Sequence, residues 1–489
     1  MKRALTLIAC LLLLPLYSFA GRGPVYEVFV ASFSDGDGDR RGDLKGLRDR
    51  LDYIAALGVR NIWMMPISPS PSYHKYDVTG YTAIDPIYGS LDDFDALVKA
   101  AEEKGIGIIL DLVLNHSSSA HPWFLSAIEA LKAGETGGTR DYYLFSQTSG
   151  HPVPGLPGWY YQGSFGPHMP DLNLDNPALL EEIKKILAFW LNRGAAGFRL
   201  DAVTHYYEDN TSKNTEFLRW LNTQAKAIKP DCYIVAEAWK DESTILSLYE
   251  SGIDSLFNFP LSNADGALVK ALRAKQGAAL AQRVERYQSR ILGRNAKGLD
   301  AVFLSNHDNA RSAGFLLFKD QQMKLAAALC LTMPGVPFIY YGEELGMSGS
   351  GRDENKRLPM PWSADEALNC LPPADADQAQ RLKTPADTQA DDPASLLSFY
   401  RMIGTLRAQR EQFEQGQAKA LPLDNTGIAA WAFESASGPL TVLHNLSNET
   451  ITLPWPESGR LHGWDTGSGA PALEGGSLIL PPLSGCIID

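Results

Sequence analysis

In the stretch IGIILDLVLNH at residues 106–116, Ile106 to Asn115 are predicted to form one strand of a parallel sheet. It is a short run of apolar and branched side chains that closes on the polar residues Asn115 and His116. The segment before it, Leu91 to Lys104, spaces its apolar residues by three and four, as a helix that packs on a sheet does. A strand that follows such a helix in the sequence is typical of a parallel sheet.

The same unit recurs along the chain. Seven further strands are predicted at Val25 to Phe33, Asn61 to Pro66, Gly197 to Ala202, Tyr233 to Trp239, Asp254 to Phe259, Asp300 to Leu304 and Pro337 to Tyr341. Helical segments between them include Leu44 to Leu57, Pro177 to Arg193 and Asn214 to Ile228. Eight such units in about 370 residues predict a (β/α)8 TIM barrel, because a doubly wound sheet would usually need fewer strands.

Two regions depart from this alternation. Residues 117–170 are rich in Gly, Pro, His and Tyr and predict a subdomain inserted after the third strand. Beyond a last long helix, Pro393 to about Phe413, short strand-like pieces predict a C-terminal β-sandwich over residues 414–489. The barrel itself is then predicted to comprise residues 21–116 and 171–413.

The N-terminus predicts a cleaved signal peptide over residues 1–20. Lys2 and Arg3 precede an apolar run from Ala4 to Leu16, and Ser18-Phe19-Ala20 offers small residues for the peptidase. We therefore expect export to the periplasm or the medium, with lipid anchoring at Cys10 as the alternative. No later stretch has about 18 uninterrupted apolar residues, so no membrane span is expected.

Composition excludes several classes of partner and site. The 489 residues carry a formal net charge of −13, a poor match to nucleic acid or anionic lipid. The cysteines beyond Cys10 are dispersed without CxxC spacing, which argues against zinc and leaves disulfides or buried free thiols open. We expect a monomer.

Charged and polar residues follow four of the predicted strands. At the ends of the third, fourth, fifth and seventh strands lie, in turn, Asp111 to His116, Arg199 to Asp201, Glu237, and His307 to Asp308. One acid at a strand end is usually a helix cap or an ion-pair partner, and one His is usually structural. Several at the carboxyl ends of barrel strands meet at one rim, where like charges cost stability and raise carboxyl pKa values, so a functional site is expected there.

Such a group of acids suits glycoside hydrolysis. One carboxylate attacks the anomeric carbon, and a second carboxyl protonates the departing oxygen and then deprotonates water. A further negative charge stabilises the oxocarbenium-like transition state. This double displacement retains the anomeric configuration.

Four segments resemble the successive motifs of the α-amylase family, glycoside hydrolase family 13. They are DLVLNH at 111–116, GFRLDAVTH at 197–205, AEAW at 236–239 and FLSNHD at 303–308, in the right order and on the right strands. A fifth segment, MPDLN at 169–173, is similar to one that marks members intermediate between oligo-1,6-glucosidases and neopullulanases, several of which are α-amylases. The resemblance covers nearly the whole mature chain.

The resemblance implies roles for the residues at the rim. Asp201 is implied as the nucleophile, Glu237 as the general acid and base, and Asp308 as the third carboxylate that binds and distorts the sugar. His116 and His307 match family histidines that hydrogen-bond the hydroxyls of the cleaved sugar. Arg199, two residues before Asp201 on the same strand, points to the same side and can keep that carboxylate ionised.

Two further segments also resemble the family, one upstream and one downstream of these motifs. In SPSYHKYDV at 70–78, Tyr76 is implied to stack under the sugar and Asp77 to bind its hydroxyls. RLPMPW at 357–362 resembles an oligo-1,6-glucosidase segment, which implies that Arg357 pairs with Asp77. A plain surface arginine is the alternative, because exposed ion pairs are common and weak.

An acidic loop, DGDGDRRGD at 35–43, predicts a calcium site, because its carboxylates alternate with glycines that allow a tight turn around a hard cation. The loop resembles that of oligo-1,6-glucosidase-like relatives, which implies Asp35, Asp37, Asp39, the Arg41 carbonyl and Asp43 as Ca²⁺ ligands. Solvated turn acids are the alternative. For a second calcium, the resemblance implies Asn115 and the His205 carbonyl.

One departure concerns substrate length. Many α-amylases have Lys-His after the fourth strand to hold the leaving-group side of the substrate, and this chain has Thr204-His205 there. His205 is implied as the substrate-binding member of the pair. Loss of the lysine leaves endo-action on long polymers in doubt.

We therefore expect a retaining enzyme that cleaves α-1,4-glucosidic bonds of starch, glycogen or maltooligosaccharides. The alternative is an exo-acting α-glucosidase, an oligo-1,6-glucosidase or a transglycosylase on short α-glucans, which would share all the catalytic residues. A protein of another class, a non-catalytic carbohydrate-binding barrel, would have no reason to retain Asp201, Glu237 and Asp308 together.

Overall fold

A computed structural model describes residues 23–382, 384–456 and 458–489. The predicted signal peptide, with Cys10, lies outside the described residues. Among the described helices, none has the length and apolar character needed to cross a bilayer.

Eight parallel strands close into a barrel, as predicted. Numbered along the chain, barrel strands 1 to 8 are Val25–Val28, Asn61–Met64, Gly107–Leu112, Gly197–Leu200, Tyr233–Ala236, Ser255–Phe257, Leu299–Phe303 and Val336–Tyr340. Each strand pairs with its neighbours in the sequence, and strand 8 pairs with strand 1. The predicted (β/α)8 fold is confirmed. The strands are as long as predicted or a few residues shorter.

Aromatic side chains fill the barrel interior. Alternate residues of each strand face inward, so that Trp63, Phe257 and Phe338 meet in one cluster with Val25. The Phe257 ring lies 5.6 Å from Trp63 and 4.8 Å from Phe338, centroid to centroid. This packed interior closes the barrel below the rim and leaves the strand ends as the place for a cavity.

Helices cover the outside of the barrel and extend into the other regions. The α-helices are Leu44–Asp49, Leu51–Ala55, Leu91–Glu102, Pro122–Lys132, Pro177–Asn192, Thr211–Ile228, Glu242–Leu248, Ala267–Ala274, Gly277–Leu292, Ser312–Phe315, Asp320–Thr332, Asp353–Lys356, Ala386–Ala390, Leu396–Ala408 and Gln412–Gln415. The 3₁₀ helices are Val30–Ser32, Gly138–Tyr142, Tyr249–Ser251, Glu343–Leu345 and Glu366–Leu368.

Local signals account for several helix ends. Ser90 and Asp93 form a capping box at the start of Leu91–Glu102, and Asn176 caps Pro177–Asn192. The helix predicted at Leu44 to Leu57 is instead two helices, because Arg50 leaves helical geometry with φ −102° and ψ 7°.

The segment between barrel strands 3 and 4 contains the helix Pro122–Lys132 and a small antiparallel sheet. Its three short strands are Phe145–Ser146, His151–Pro152 and Tyr160–Tyr161. Backbone hydrogen bonds from Ser117 to the Pro170 carbonyl and from Leu172 to the Asn115 carbonyl tie both ends of the segment to each other and to the rim. The predicted bounds of this subdomain, 117–170, stay a prediction.

The C-terminal residues form two packed antiparallel sheets, as predicted. One sheet consists of Gln417–Ala420, Ile428–Glu434, Leu440–Asn445, Leu461–Trp464 and Gly485–Ile488, and the other of Ile451–Pro454, Ala472–Glu474 and Ser477–Leu480. Leu443 and Cys486 of the first sheet share a buried cluster with Leu453 and Leu478 of the second.

All four described cysteines, Cys232, Cys330, Cys370 and Cys486, are buried and free. Of the two possibilities that the sequence left open, the described residues therefore show buried thiols. Burial raises the pKa of the Cys232 thiol to about 12, which keeps it protonated and unreactive.

Candidate active site

A sharp turn follows barrel strand 4 and places Asp201 at the rim. Ala202, the next residue, has φ +47°, a left-handed conformation that is costly for a residue with a side chain. Its backbone N–H donates to Glu237 Oε2 at 3.0 Å, and the Val203 N–H donates to the Glu237 carbonyl. The turn therefore fixes the ends of strands 4 and 5, and with them the two carboxyl groups, relative to each other.

Arg199 connects three acids beneath the cavity. Its side chain is buried, and its Nη1 donates to Asp201 Oδ1 at 2.7 Å and to Asp111 Oδ1 at 2.9 Å. Its Nη2 donates to Glu237 Oε2 at 2.9 Å. A planar guanidinium holds its donors in fixed directions, so this one group sets the spacing of the carboxyl groups of Asp201 and Glu237.

The environment shifts the pKa of the Glu237 carboxyl into the neutral range. Burial raises the pKa of its carboxyl to about 7, with Asp201 and Asp308 adding to the rise against the opposing charge of Arg199. Burial likewise raises the pKa of Asp111 to about 6, again against Arg199. A carboxyl with a pKa near 7 can donate a proton and later take one up, as a general acid and base must.

Asp308 stays ionised by contrast. Burial opposes its ionisation, but His307 and Arg357 outweigh that cost and hold the pKa of Asp308 well below its usual range. His307 Nε2 lies 3.1 Å from Asp308 Oδ2, and Arg357 Nη2 lies 3.8 Å from Asp308 Oδ1. The site thus shifts the pKa values of two cavity carboxyl groups in opposite directions, upward for Glu237 and downward for Asp308.

An open cavity of about 410 Å³ lies above these groups. It is lined by His74, Tyr76, His116, Phe165, Met169, Asp201, Ala202, Thr204, His205, Glu237, Trp239, His307, Asp308, Asp353, Lys356 and Arg357. The structure therefore brings together the three predicted catalytic acids, and the volume is within the range of small-molecule sites.

Two histidines contribute differently to the cavity wall. His116 Nε2 is buried without a hydrogen-bond partner among the described residues, and burial lowers the pKa of His116. A buried polar atom without a partner is costly, so this nitrogen is available to a hydroxyl of a bound sugar. His205, also in the wall, packs its ring 4.9 Å from that of Phe165.

Tyr76 and Asp77 have separate environments. The Tyr76 ring lies stacked 5.6 Å from His307, and its hydroxyl donates to Asp111 Oδ2 at 3.0 Å. Asp77 is buried outside the cavity lining and accepts hydrogen bonds from the hydroxyls of Ser70 and Ser72. Two hydroxyl donors thus already satisfy its Oδ1 where the sequence predicted sugar hydroxyls.

The implied ion pair between Arg357 and Asp77 is not found among the described residues. Arg357 is buried, so it is also not a plain surface arginine, and its Nη1 lies 2.7 Å from Asp353 Oδ2. Asp353 is four residues earlier on the short helix Asp353–Lys356 and can reach Arg357 locally. Arg357 therefore lines the cavity beside Asp308 and pairs with an acid that the sequence did not single out.

Several residues of the cavity wall were not predicted from the sequence. Asp353 and Lys356 line the cavity from a four-residue helix and Phe165 lines it from a loop, and neither segment is long or regular enough to give a periodic signal. Trp239 was quoted only as part of a motif, yet its side chain is 53% exposed in the cavity wall and stacks on Phe259 at 5.0 Å. An exposed tryptophan two residues after a candidate acid was the available signal for a sugar-stacking surface.

Asn115 ties the rim to the inserted segment. Its Nδ2 donates to Asp171 Oδ1 at 3.1 Å, and Asp171 also accepts from Ser164 Oγ at 2.6 Å. Asp171 is thus the carboxylate that meets Asn115 at the end of the inserted segment, and the two side chains satisfy each other directly. The second calcium site stays a prediction.

The acidic loop brings three of its predicted ligands together. Oxygen atoms of Asp35, Asp37 and Asp39 lie within 4.8 Å of one another. Asp43 Oδ1 accepts from the Gly46 N–H at 2.6 Å and caps the helix Leu44–Asp49, and its role as a Ca²⁺ ligand stays a prediction. An all-oxygen set of three carboxylates fits a hard cation such as Ca²⁺, with the Arg41 carbonyl as a further predicted ligand.

Comparison with known proteins gives one family. The model of the alpha amylase catalytic domain matches residues 27–416. Alpha-amylase 3 of Dictyoglomus thermophilum is 40% identical over 86% of this chain and 84% of its own length, and a 4-alpha-glucanotransferase of Thermotoga neapolitana is 34% identical over 70% and 77%. The solved structure of Eubacterium rectale Amy13B superposes with a TM-score of 0.91 at 38% identity, covering 96% of each chain.

Proposed function

The chain belongs to the α-amylase family, and from that premise we propose that it hydrolyses α-1,4-glucosidic bonds of starch, glycogen or maltooligosaccharides with retention of configuration. The observation that carries the proposal is the shared guanidinium of Arg199, which contacts both Asp201 and Glu237 at the floor of an open cavity. A non-catalytic barrel would gain nothing from this buried cluster of like charges.

The geometry supports a double displacement. Asp201, whose Oδ1 is held by Arg199, is placed to attack the anomeric carbon, while Glu237 donates its proton to the departing glycosidic oxygen. The bond between the sugar and the leaving chain breaks, and a covalent bond between the sugar and Asp201 forms. Glu237, now ionised, removes a proton from water, which attacks the same carbon and releases the sugar with its original configuration.

Asp308 assists this reaction without forming a bond. Its ionised carboxylate faces the cavity next to His307, where positive charge develops on the sugar ring in the transition state. A fixed negative group in a largely buried site stabilises that charge more than water would. Its contribution is therefore greater in the transition state than in the bound substrate.

Product analysis on maltoheptaose tests the substrate and the mode of action. We expect a mixture of shorter maltooligosaccharides whose new reducing ends are first observed as the α-anomer by proton NMR. Glucose as the sole early product would indicate an exo-acting α-glucosidase, and products longer than seven units would indicate a transferase. A β-anomeric first product would contradict the double displacement.

We further propose that the chain is exported and that Ca²⁺ binds the acidic loop. Export is supported by the N-terminal sequence pattern at residues 1–20, and the calcium site by the convergence of Asp35, Asp37 and Asp39. The loop lies beside the first barrel strand and precedes the helix Leu44–Asp49, away from the cavity lining. A cation there would neutralise three neighbouring carboxylates and hold the loop, so its effect is on stability.

Removing calcium is expected to lower the midpoint of thermal unfolding by several degrees. A ligand that binds only the folded state contributes about 2.7 kcal/mol when its concentration is 100 times its Kd. Differential scanning calorimetry with EDTA and with added CaCl2 measures the difference. Asp37→Asn should abolish it, whereas Asp175→Asn, at an exposed acid elsewhere, should not. Equal midpoints with and without calcium would contradict the proposed site.

A further inference from the structure

Glu27 is a buried carboxylate that contacts the ring of His307 from within the barrel. It lies in barrel strand 1 and faces inward, as Val25 does two residues earlier. Its Oε1 accepts a hydrogen bond from His307 Nδ1 at 2.6 Å and one from the His307 backbone N–H at 3.3 Å. Glu27 is 1% exposed and is not part of the cavity lining, so a bound sugar does not touch it.

The other ring nitrogen of His307 faces the reaction site. Its Nε2 lies 3.1 Å from Asp308 Oδ2 and 2.8 Å from the Tyr76 hydroxyl, which itself donates to Asp111. The ring thus has a carboxylate at each nitrogen. Only the doubly protonated imidazolium offers an N–H to both, because a neutral ring would turn a lone pair toward one of the two anions.

We infer that Glu27 is a positioning residue for the hydrolysis: it holds His307 as an imidazolium whose second N–H orients Asp308 toward the sugar. This inference rests on the proposed function. Glu27 acts through His307, and Asp308 is the group that meets the substrate. The His307 backbone N–H donates to the same Oε1, so Glu27 is held against the backbone of the residue whose ring it contacts.

The balance of charges around His307 agrees with this role. Burial lowers its pKa, but Asp308 and Glu27 outweigh burial and raise the pKa of His307 to about 9. The other titratable groups that face the pair are Tyr76 from the loop after strand 2, Asp111 from strand 3 and Tyr340 from strand 8. Without the Glu27 charge, the ring would lose the carboxylate at Nδ1, and only Asp308 and the more distant Asp111 would favour the proton on the buried ring.

Glu27→Gln tests the inference because it keeps the size and the acceptor oxygen and removes only the charge. We expect the His307 titration, followed by nitrogen-15 NMR and assigned by its absence in His307→Gln, to move at least two pH units below the wild-type value. We expect kcat on maltoheptaose to fall at least tenfold at pH 8 and less at pH 6, where the ring is protonated in both proteins. KM should change less than twofold.

Glu344→Gln is the matched control. Glu344 is equally buried, and it accepts a hydrogen bond from Tyr26 of the same barrel strand, but it is outside the cavity lining. This change should leave both the His307 titration and the pH dependence of kcat unaltered. A loss of kcat in Glu27→Gln that is equal at all pH values, with the His307 titration unmoved, would show a packing role and overturn the inference.

The wild-type titration is decisive even if Glu27→Gln does not fold. A His307 ring that loses its proton below pH 7 in the wild-type protein would overturn the inference directly. This measurement needs no substrate, so it separates failure of the inference from failure of the proposed function, which would appear as an absence of maltoheptaose hydrolysis.

Discussion

Asp201→Asn is expected to lower kcat on maltoheptaose by at least about 10⁴-fold, because an amide cannot act as the nucleophile that forms the glycosyl intermediate. Such a loss corresponds to about 5.5 kcal/mol of activation free energy. The asparagine is isosteric and can still accept a hydrogen bond from Arg199, so the fold should be retained. Steady-state kinetics and circular dichroism on the same sample measure both quantities.

Asp300→Asn provides the matched control for this experiment. Asp300 is also a buried aspartate of the barrel, with a carboxyl pKa raised to about 7 by burial, but it lies at the start of strand 7, at the end of the barrel opposite the cavity. Its substitution should change the free energy of unfolding and leave kcat within about threefold of wild type. Residual activity of Asp201→Asn within tenfold of wild type would refute the assignment of the nucleophile.

Glu237→Gln is expected to lower kcat on maltoheptaose by about 10³- to 10⁴-fold, because glutamine has no proton to donate to the glycosidic oxygen. A 4-nitrophenyl maltoside has a leaving group that is stable as the anion and does not need the acid in the first step. With that substrate the variant should release a fast burst of nitrophenol and then turn over slowly, because the second step still requires a base. Stopped-flow absorbance measures the burst.

The pH dependence identifies the same residue. Since the acid must be protonated and the pKa of Glu237 is about 7, kcat/KM of the wild-type protein should fall as the pH rises above about 7. Glu237→Gln should lose this alkaline limb. Glu343→Gln, a control at another buried glutamate with a pKa of about 7, should retain it. An unchanged limb in Glu237→Gln would assign the acid to another group.

Most of the architecture could be predicted because it depends on local patterns. Short apolar runs and helices with apolar spacing of three and four predict the eight strands to within a few residues, since burial on both faces of a parallel sheet demands such runs. The break at Arg50 escaped prediction because apolar spacing continues through it. Helix continuity there depends on the backbone angles of one residue, which composition does not reveal.

The partners of charged groups were less predictable. Family resemblance paired Arg357 with Asp77, but the structure pairs it with Asp353 on its own short helix. An arginine is compatible with either acid, and the acid that lies nearest in the folded chain became its partner. Asp43, a predicted metal ligand, also caps a helix, and its role as a ligand stays a prediction.

The sequence by itself determined the barrel, the positions of Asp201, Glu237 and Asp308 at strand ends, and the chemical class of the reaction, because periodic burial and residue type are properties of the chain. Only the tertiary structure decided which charges meet. One guanidinium joins carboxyl groups from three strands, and Glu27 lies against His307, 280 residues away. Hydrogen bonds act over about 3 Å, and distances on that scale between remote segments exist only once the barrel has closed.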